Sequence, residues 1–248
     1  IFLTATRQKY DVERLYNDLW RIYEEDPPNR PFWKEQERQG RLKRSRMDLF
    51  LFHYVTFRRC EEFKIGHLYQ SFRDWWESAS GARNIENELK ELGRHSGVYA
   101  NLLAPDRTTE FGLVAQRLRT LDTTTAYPLI LWAAGELDIL SNEFIKIVRD
   151  IESFIIRRMV CGYNAKAYNR LFLEVLVRMQ RGETPPNAST LRALLSASTA
   201  ESAIWPRDEE FRSHLMTDPI YRTVGPRRTE MLLEALVPFQ ADRIMITV

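Results

Sequence analysis

The chain has 248 residues, of which 44% are hydrophobic and 28% are charged. This composition is that of an ordinary folded protein, and it excludes a disordered or collagen-like chain. Thirty-six basic and 34 acidic residues give a formal charge of +2, which does not by itself mark a nucleic-acid-binding protein. The excess of Leu over Val, 28 against 11, and the low Gly and Pro content favour helices over a turn-rich all-β fold.

The cysteine content and the hydropathy predict a compartment. Cys60 and Cys161 lie far apart in the sequence, so we expect no disulfide framework and a reducing, cytoplasmic setting. No apolar run approaches the roughly 20 residues that span a bilayer, so we expect no membrane partner. Because residues 1–3 and 244–248 are apolar, we also expect an internal segment of a longer polypeptide.

Apolar residues recur at helical spacing along the first half of the chain. Asp11 is placed to cap a first helix, whose apolar face would hold Val12, Leu15, Tyr16, Leu19 and Ile22. Residues 47–57 are densely apolar and aromatic, which indicates a buried helix. The spacing predicts further helices over residues 65–76, 85–103, 111–118 and 127–137.

The clearest predicted helix runs from Ser141 to about Met159. Its buried face would hold Phe144, Ile147 or Val148, Ile151, Phe154 or Ile155, and Met159. Shorter helices are predicted over residues 168–179, 191–195, 211–215 and 232–236, and residues 243–248 are the one candidate strand. The sequence therefore predicts an all-α fold, an irregular array of about ten to twelve helices with little or no sheet.

A basic segment stands out against the nearly neutral chain. Residues 34–46 contain six basic and two acidic residues, a local charge of +4, which leaves −2 for the remainder. Such a segment suits salt-sensitive contacts with a phosphate backbone. The alternative interpretations are a solvated loop between two helices, or ion pairs with Glu35 and Glu37. The candidate DNA-binding residues are Arg38, Arg41, Lys43, Arg44 and Arg46.

A second group of residues surrounds the end of the clearest helix. Arg157 and Arg158 stand in its last turn, where cations complement the helix dipole and can donate to free carbonyls. Gly162 suits a left-handed helix cap, and Tyr168 and Asn169 follow. We expect a structural role for this group, with a ligand or nucleic-acid contact as the alternative.

Motifs for catalysis or for cofactors are missing from the sequence. Neither Gly-x-x-x-x-Gly-Lys-Ser/Thr nor Gly-x-Gly-x-x-Gly occurs, and His-Glu-x-x-His and Cys-x-x-Cys are absent as well. His53, Cys60 and His67 are spaced by seven, which on one helix holds them about 10 Å apart, too far for one zinc ion. Cys161 is expected to be a small buried residue rather than a nucleophile. We therefore predict no catalytic residue, metal or cofactor in this chain.

Four groups of residues resemble the GmrSD-type, modification-dependent restriction endonucleases. The strongest resemblance covers an apolar run, the Arg157-Arg158 pair, a Cys-Gly turn, and Asn169 shortly before a Phe. All four groups occur in the family's order and extend over most of the chain: residues 12–16 with Trp20; 40–42 with 48–54; 66–69 with 72–73 and Trp75; and 152–162 with 168–172.

The resemblance implies a larger machine. In the family, a ParB-like or sulfiredoxin-like N-terminal domain hydrolyses nucleotide, and a C-terminal HNH-like domain cleaves DNA with a divalent metal. Neither domain's motif occurs here. We therefore expect residues 1–80 to close the N-terminal domain and residues 81–248 to form the helical middle domain.

The chain itself is then expected to be non-catalytic. It would be a scaffold that couples nucleotide hydrolysis to cleavage of modified DNA in antiphage defence, with the flanking domains, DNA and a possible homodimer as partners. Nucleoside triphosphate and divalent metal are expected for the parent protein only. The alternative is a helical protein-interaction or dimerisation module with no DNA contact.

Overall fold

The computed structural model describes residues 5–6, 9–24, 32–77, 84–182 and 186–236. Over these ranges the chain is mostly helical with one two-stranded sheet, which confirms the all-α prediction. The elements are α1 (Val12–Leu15), α2 (Arg21–Glu24), β1 (Gln36–Gln39), β2 (Leu42–Ser45), α3 (Arg46–Arg59), α4 (Leu68–Glu77), α5 (Ile85–Leu103), α6 (Glu110–Leu121), α7 (Tyr127–Glu136), α8 (Asn142–Val160), α9 (Tyr168–Gln180), α10 (Ala188–Ser196), α11 (Asp208–Thr217), α12 (Ile220–Thr223) and α13 (Pro226–Leu236). The chain ends, the predicted boundary at residues 80 and 81, and the candidate strand 243–248 lie outside the described ranges.

A π-helical turn corrects the predicted face of the first helix. Asp11 caps α1 as expected, accepting a hydrogen bond from the backbone N–H of Arg14. Between α1 and α2, however, residues Tyr16–Trp20 form a π-helix. A π-helical turn holds more residues than an α-helical turn, so the next residue that faces the core comes one position later in the sequence. Ile22, predicted to face the core, is therefore 58% exposed, and Tyr23 is buried in its place.

Helix α7 occupies the centre of the molecule. It packs against α3, α5, α8 and α9. Every residue from Tyr127 to Ala134 is buried, so the helix is apolar on all sides, which is the pattern of a core helix. The elements around it, and with them the candidate site, are positioned against this one segment.

Helix α8 has the predicted buried stripe, with one exception. Ser141 caps its first turn, and Phe144, Ile147, Val148, Ile151, Phe154 and Ile155 are all buried. Met159 was predicted to complete this face, but it is only half-buried, and Arg158 lies in the core with no exposed surface. Buried positions recur every three or four residues along the helix, and counting on from Phe154 and Ile155 leads to position 158. Across the described helices, none is both long enough and apolar enough to cross a bilayer.

Candidate functional site

The basic segment folds into a β-hairpin, not into a loop between two helices. Strands β1 and β2 pair antiparallel, with Gln39 opposite Leu42 and Arg38 opposite Lys43. Gly40 and Arg41 form the two-residue turn. Gly40 has a φ of 58° whereas Arg41 has a negative φ, which is the arrangement of a type II′ turn with glycine at its first central position. The hairpin leads directly into α3, whose N-cap is Ser45.

Gln39 attaches the hairpin to the core. Its side chain is buried, and its amide nitrogen donates to the hydroxyl of Tyr99 over 2.9 Å. Its amide oxygen lies 2.9 Å from Nε2 of His53. Because an amide oxygen can only accept, the histidine must donate through Nε2. This polar network fixes the position of the strand relative to α3 and α5.

The turn is held from a second side. The backbone N–H of Gly40 donates to Oδ1 of Asp122 over 3.1 Å, just after the end of α6. On the adjacent strand, the carboxylate of Glu37 accepts from Arg119 of α6 over 3.4 Å. Since β1 and the turn are both held at the end of α6, the hairpin presents its remaining side chains from a rigid support.

Arg46 has a structural position that distinguishes it from the other four candidates. Its guanidinium pairs with Glu35 over 2.7 Å and with Glu37 over 3.1 Å, and it lies 4.4 Å from the ring centroid of Phe32. Only 16% of its side chain is exposed. The predicted ion pairs with Glu35 and Glu37 are therefore confirmed for this residue, and its charge is largely neutralised.

The other basic residues of the hairpin are open to solvent. Arg38, Arg41, Lys43 and Arg44 are all exposed. Arg38 donates to the carbonyl of Gly40 over 3.1 Å. Arg41, Lys43 and Arg44 form no ion pair within the described ranges. The register places Arg44 opposite Glu37, whose carboxylate pairs with Arg46 and Arg119 instead. Because Arg38 and Lys43 lie directly opposite each other across the strands, two like charges are held close together, an arrangement that costs the hairpin stability.

A cavity of about 440 Å³ opens beside the hairpin. Its wall combines hairpin residues with α3, α9 and the loops at residues 62–66 and 122–125, and most of its surface is apolar. A volume of this size lies within the range of small-molecule sites. The polar groups on its wall include His53, Asn169 and Thr125, and the charged residues Glu62, Lys64 and Asp122 also line it.

His53 is neutral in this environment. Burial lowers its pKa to about 3, because the imidazolium form would lose its hydration. With Nε2 donating to Gln39, Nδ1 is an acceptor with no hydrogen-bond partner among the described residues. The residue therefore holds the hairpin and lines the cavity without adding charge to either.

Arg158 binds the loop that follows α10. Its two terminal nitrogens donate to the backbone carbonyls of Asn164, Glu201, Ser202 and Ile204 over 2.7–3.2 Å. The guanidinium also lies 5.0–5.6 Å from the ring centroids of Phe154, Tyr163 and Tyr168. The expected structural role is thus supported, although the carbonyls belong to other segments rather than to the end of α8.

The remaining residues of this group also have structural contacts. Arg157 pairs with Asp208 over 2.6 Å and donates to the carbonyl of Pro206. Gly162 adopts a φ of 75°, and the chain turns in a Schellman motif with hydrogen bonds from Gly162 N–H to the Met159 carbonyl and from Tyr163 N–H to the Arg158 carbonyl. The predicted left-handed cap is confirmed.

Tyr168 and Asn169 lead from this group to the cavity. Tyr168 is buried at the start of α9, against Phe154 and the guanidinium of Arg158. Asn169 lies on the cavity wall, with its amide nitrogen 3.5 Å from the carboxylate of Glu62. The resemblance motif of residues 152–172 therefore connects a buried arginine to the wall of the cavity.

Sequence reasoning missed the anchors of the hairpin. Gln39, Tyr99 and Asp122 carry no motif, and each acts through a partner at least 60 positions away. The hairpin itself left one signal, since a glycine followed by one residue between two short segments is typical of a type II′ turn. The strands are too polar for an apolar alternation to reveal them.

Comparison of the chain with protein-family models, with curated proteins and with solved structures gave no match.

Proposed function

We propose that this chain is the helical, non-catalytic core of a modification-dependent DNA restriction protein, and that its β-hairpin contacts the DNA backbone. The observation that carries the DNA contact is the set of three exposed cations without an acidic partner in the described structure, Arg41, Lys43 and Arg44, on a hairpin fixed to the core. Arg38 stands beside them. The restriction role rests on the resemblance of residues 12–172 to the GmrSD-type family.

The charge arrangement supports a phosphate contact. Arg38 and Lys43 repel each other across the strands, and a phosphate oxygen between them would relieve that repulsion. Arg41 lies at the tip, where arginine can donate two hydrogen bonds to one phosphate. Such contacts position a protein on DNA without reading its bases, so recognition of the modification belongs to another surface.

In this proposal the helical array connects two active domains. The N-terminal domain hydrolyses nucleotide, the C-terminal domain cleaves DNA, and the hairpin holds the backbone between them. Helix α7 supports the scaffold role, because its buried surface joins α3, next to the hairpin, with α8 and α9, next to Arg158. The scaffold role requires that a displacement at one end be transmitted through these packed helices.

The test is the salt dependence of DNA binding. The affinity of the 248-residue chain for a plain duplex is measured by fluorescence anisotropy between about 50 and 200 mM salt. Replacing Arg41, Lys43 and Arg44 with Gln should weaken binding and flatten the slope of log affinity against log salt by about 0.9 per contact, about 2.7 in total. Arg46 is left intact because it supports the hairpin through its ion pairs.

A matched control removes the same number of charges elsewhere. Arg73, Arg149 and Arg170 are exposed arginines on α4, α8 and α9, each paired with a glutamate. Their replacement with Gln removes the same number of positive charges, but most of the slope of log affinity against log salt should remain. Equal slopes for the hairpin variant and the parent chain would exclude the hairpin as the contact. No duplex binding at low salt would reject the DNA contact and favour the protein-interaction module.

A further inference from the structure

Three side chains with metal-binding atoms meet where the end of α8 approaches α11. Cys161 follows the last residue of α8, and Glu210 and His214 lie one turn apart on the same face of α11. The Cys161 sulfur, a Glu210 carboxylate oxygen and a His214 ring nitrogen all lie within 4.8 Å of one another. In the sequence, Cys161 is about 50 positions from the other two, so no spacing motif announces the group.

These distances are close to those of a zinc site. Tetrahedral zinc with bonds of about 2.0–2.3 Å separates its ligand atoms by roughly 3.3–3.8 Å. The three atoms would need to approach one another by at most roughly 1.5 Å, which side-chain rotation can supply. A thiolate and a carboxylate would balance the charge of a divalent cation. All three residues are partly exposed, so an ion can enter from solvent.

Neighbouring groups orient two of the three ligands. Asp218 Oδ2 lies 2.6 Å from Nδ1 of His214, so we assign Nε2 as the ring nitrogen that would bind a metal. A carboxylate on the second nitrogen of a histidine is the usual support of a zinc ligand. The hydroxyl of Tyr163 donates to Oε1 of Glu210 over 2.8 Å, so we assign Oε2 as the oxygen that would bind a metal.

Arg157, a cation close enough to act on Cys161, has partners of its own. The guanidinium of Arg157 is occupied by Asp208, the carbonyl of Pro206 and the hydroxyl of Ser153. None of these contacts uses Cys161, Glu210 or His214.

We propose that Cys161, Glu210 and His214 bind one zinc ion, with a water molecule as the fourth ligand. The ion would join α11 to the end of α8, beside the turn that Arg158 binds, and thereby fix the position of the helices after residue 207. This site is independent of any DNA contact by the hairpin.

Cobalt(II) tests the site directly, because a thiolate ligand gives a charge-transfer band in the near ultraviolet and tetrahedral coordination gives intense visible bands. We expect the metal-free chain to bind one equivalent of Co²⁺ with both features, and Zn²⁺ to displace it. Zn²⁺ should also raise the thermal midpoint of the chain. Absence of the charge-transfer band in the parent chain would overturn the proposal without any variant.

The variants assign the ligands. Cys161→Ser should abolish the charge-transfer band and the thermal shift with Zn²⁺, whereas Cys60→Ser, which alters the other cysteine, should keep both. Asp218→Asn should weaken zinc affinity about 10- to 100-fold, the usual effect of losing a support of a ligand. A band that survives in Cys161→Ser would place the thiolate elsewhere and would also refute the site.

Discussion

Replacing Arg158 with Met should destabilise the chain by about 3–5 kcal/mol, because the variant loses the hydrogen bonds that a buried guanidinium makes. Arg158 has no exposed surface, and its guanidinium makes four hydrogen bonds to backbone carbonyls. A hydrogen bond to a charged group contributes about 1.5–3 kcal/mol. The net cost is smaller than the sum of the four contributions for two reasons. In the variant the loop carbonyls can hydrogen-bond to water, and folding no longer removes a charged group from water.

Arg157→Met is the matched control. It removes the same side chain one position earlier, but the partner carboxylate of Asp208 is 76% exposed, so the pair should contribute about 1 kcal/mol or less. Denaturant midpoints at constant m-value measure both variants. In thermal unfolding, Arg158→Met should lower the midpoint by about 10 °C, since 1 kcal/mol corresponds to about 2–4 °C at this size. Equal shifts for the two variants would show that the buried carbonyl network contributes no more than the contacts of Arg157, which would refute the reasoning.

Three further predictions concern the core, and denaturant or thermal midpoints check all of them. Phe154→Ala should cost about 3–5 kcal/mol because the ring is fully buried, and an unchanged midpoint would contradict its place in the core. The chain should lose about 2 kcal/mol between pH 8 and pH 5 through His53, because the unfolded chain takes up a proton near pH 6.5 whereas the folded pKa is about 3. The loss of stability sets in as the pH falls below the pKa of the unfolded state and grows until the pH reaches about 3. His53→Gln should reduce the pH dependence of the stability, whereas His67→Gln, at an exposed position, should not. Gly112→Ala should be strongly destabilising, because the added Cβ would lie 1.8 Å from a backbone carbonyl oxygen. Gly97→Ala, in mid-helix with open space around the added Cβ, should stabilise the chain by about 0.5–1 kcal/mol. A change of stability in the same direction for both variants would contradict the packing around the first turn of α6.

The positions of the helices were largely predictable from local pattern. The predicted helix ends are those that the structure has: Asp11 and Ser141 cap the starts of their helices, and Gly162 ends α8 in a left-handed conformation. They were predictable because capping depends only on the nearest three or four residues. The buried stripe of α8 followed from apolar spacing for the same reason. Where the backbone left the regular helix, as in the π-turn before α2, the spacing rule gave the wrong residue.

The candidate site was only partly predictable. Its basic residues are visible in the sequence, but their division into one structural arginine and four exposed cations depends on Glu35, Glu37 and the hairpin register. The sequence could not show that Gln39 is fixed by Tyr99 or that a cavity opens beside it. These contacts join segments that are distant along the chain, and the residues carry no local signal of their partners.

The sequence alone thus determined the all-α class and the helix caps, because helix formation and capping depend on neighbours within one turn. It also identified the local excess of positive charge. Tertiary structure alone decided that Arg158 is buried among backbone carbonyls, since charge by itself favours a surface position. The carbonyls of Asn164 and of the loop at residues 201–204 compensate the burial. Tertiary structure likewise brought Cys161 to Glu210 and His214, because the packing of α11 on α8 joins residues that no spacing in the sequence connects.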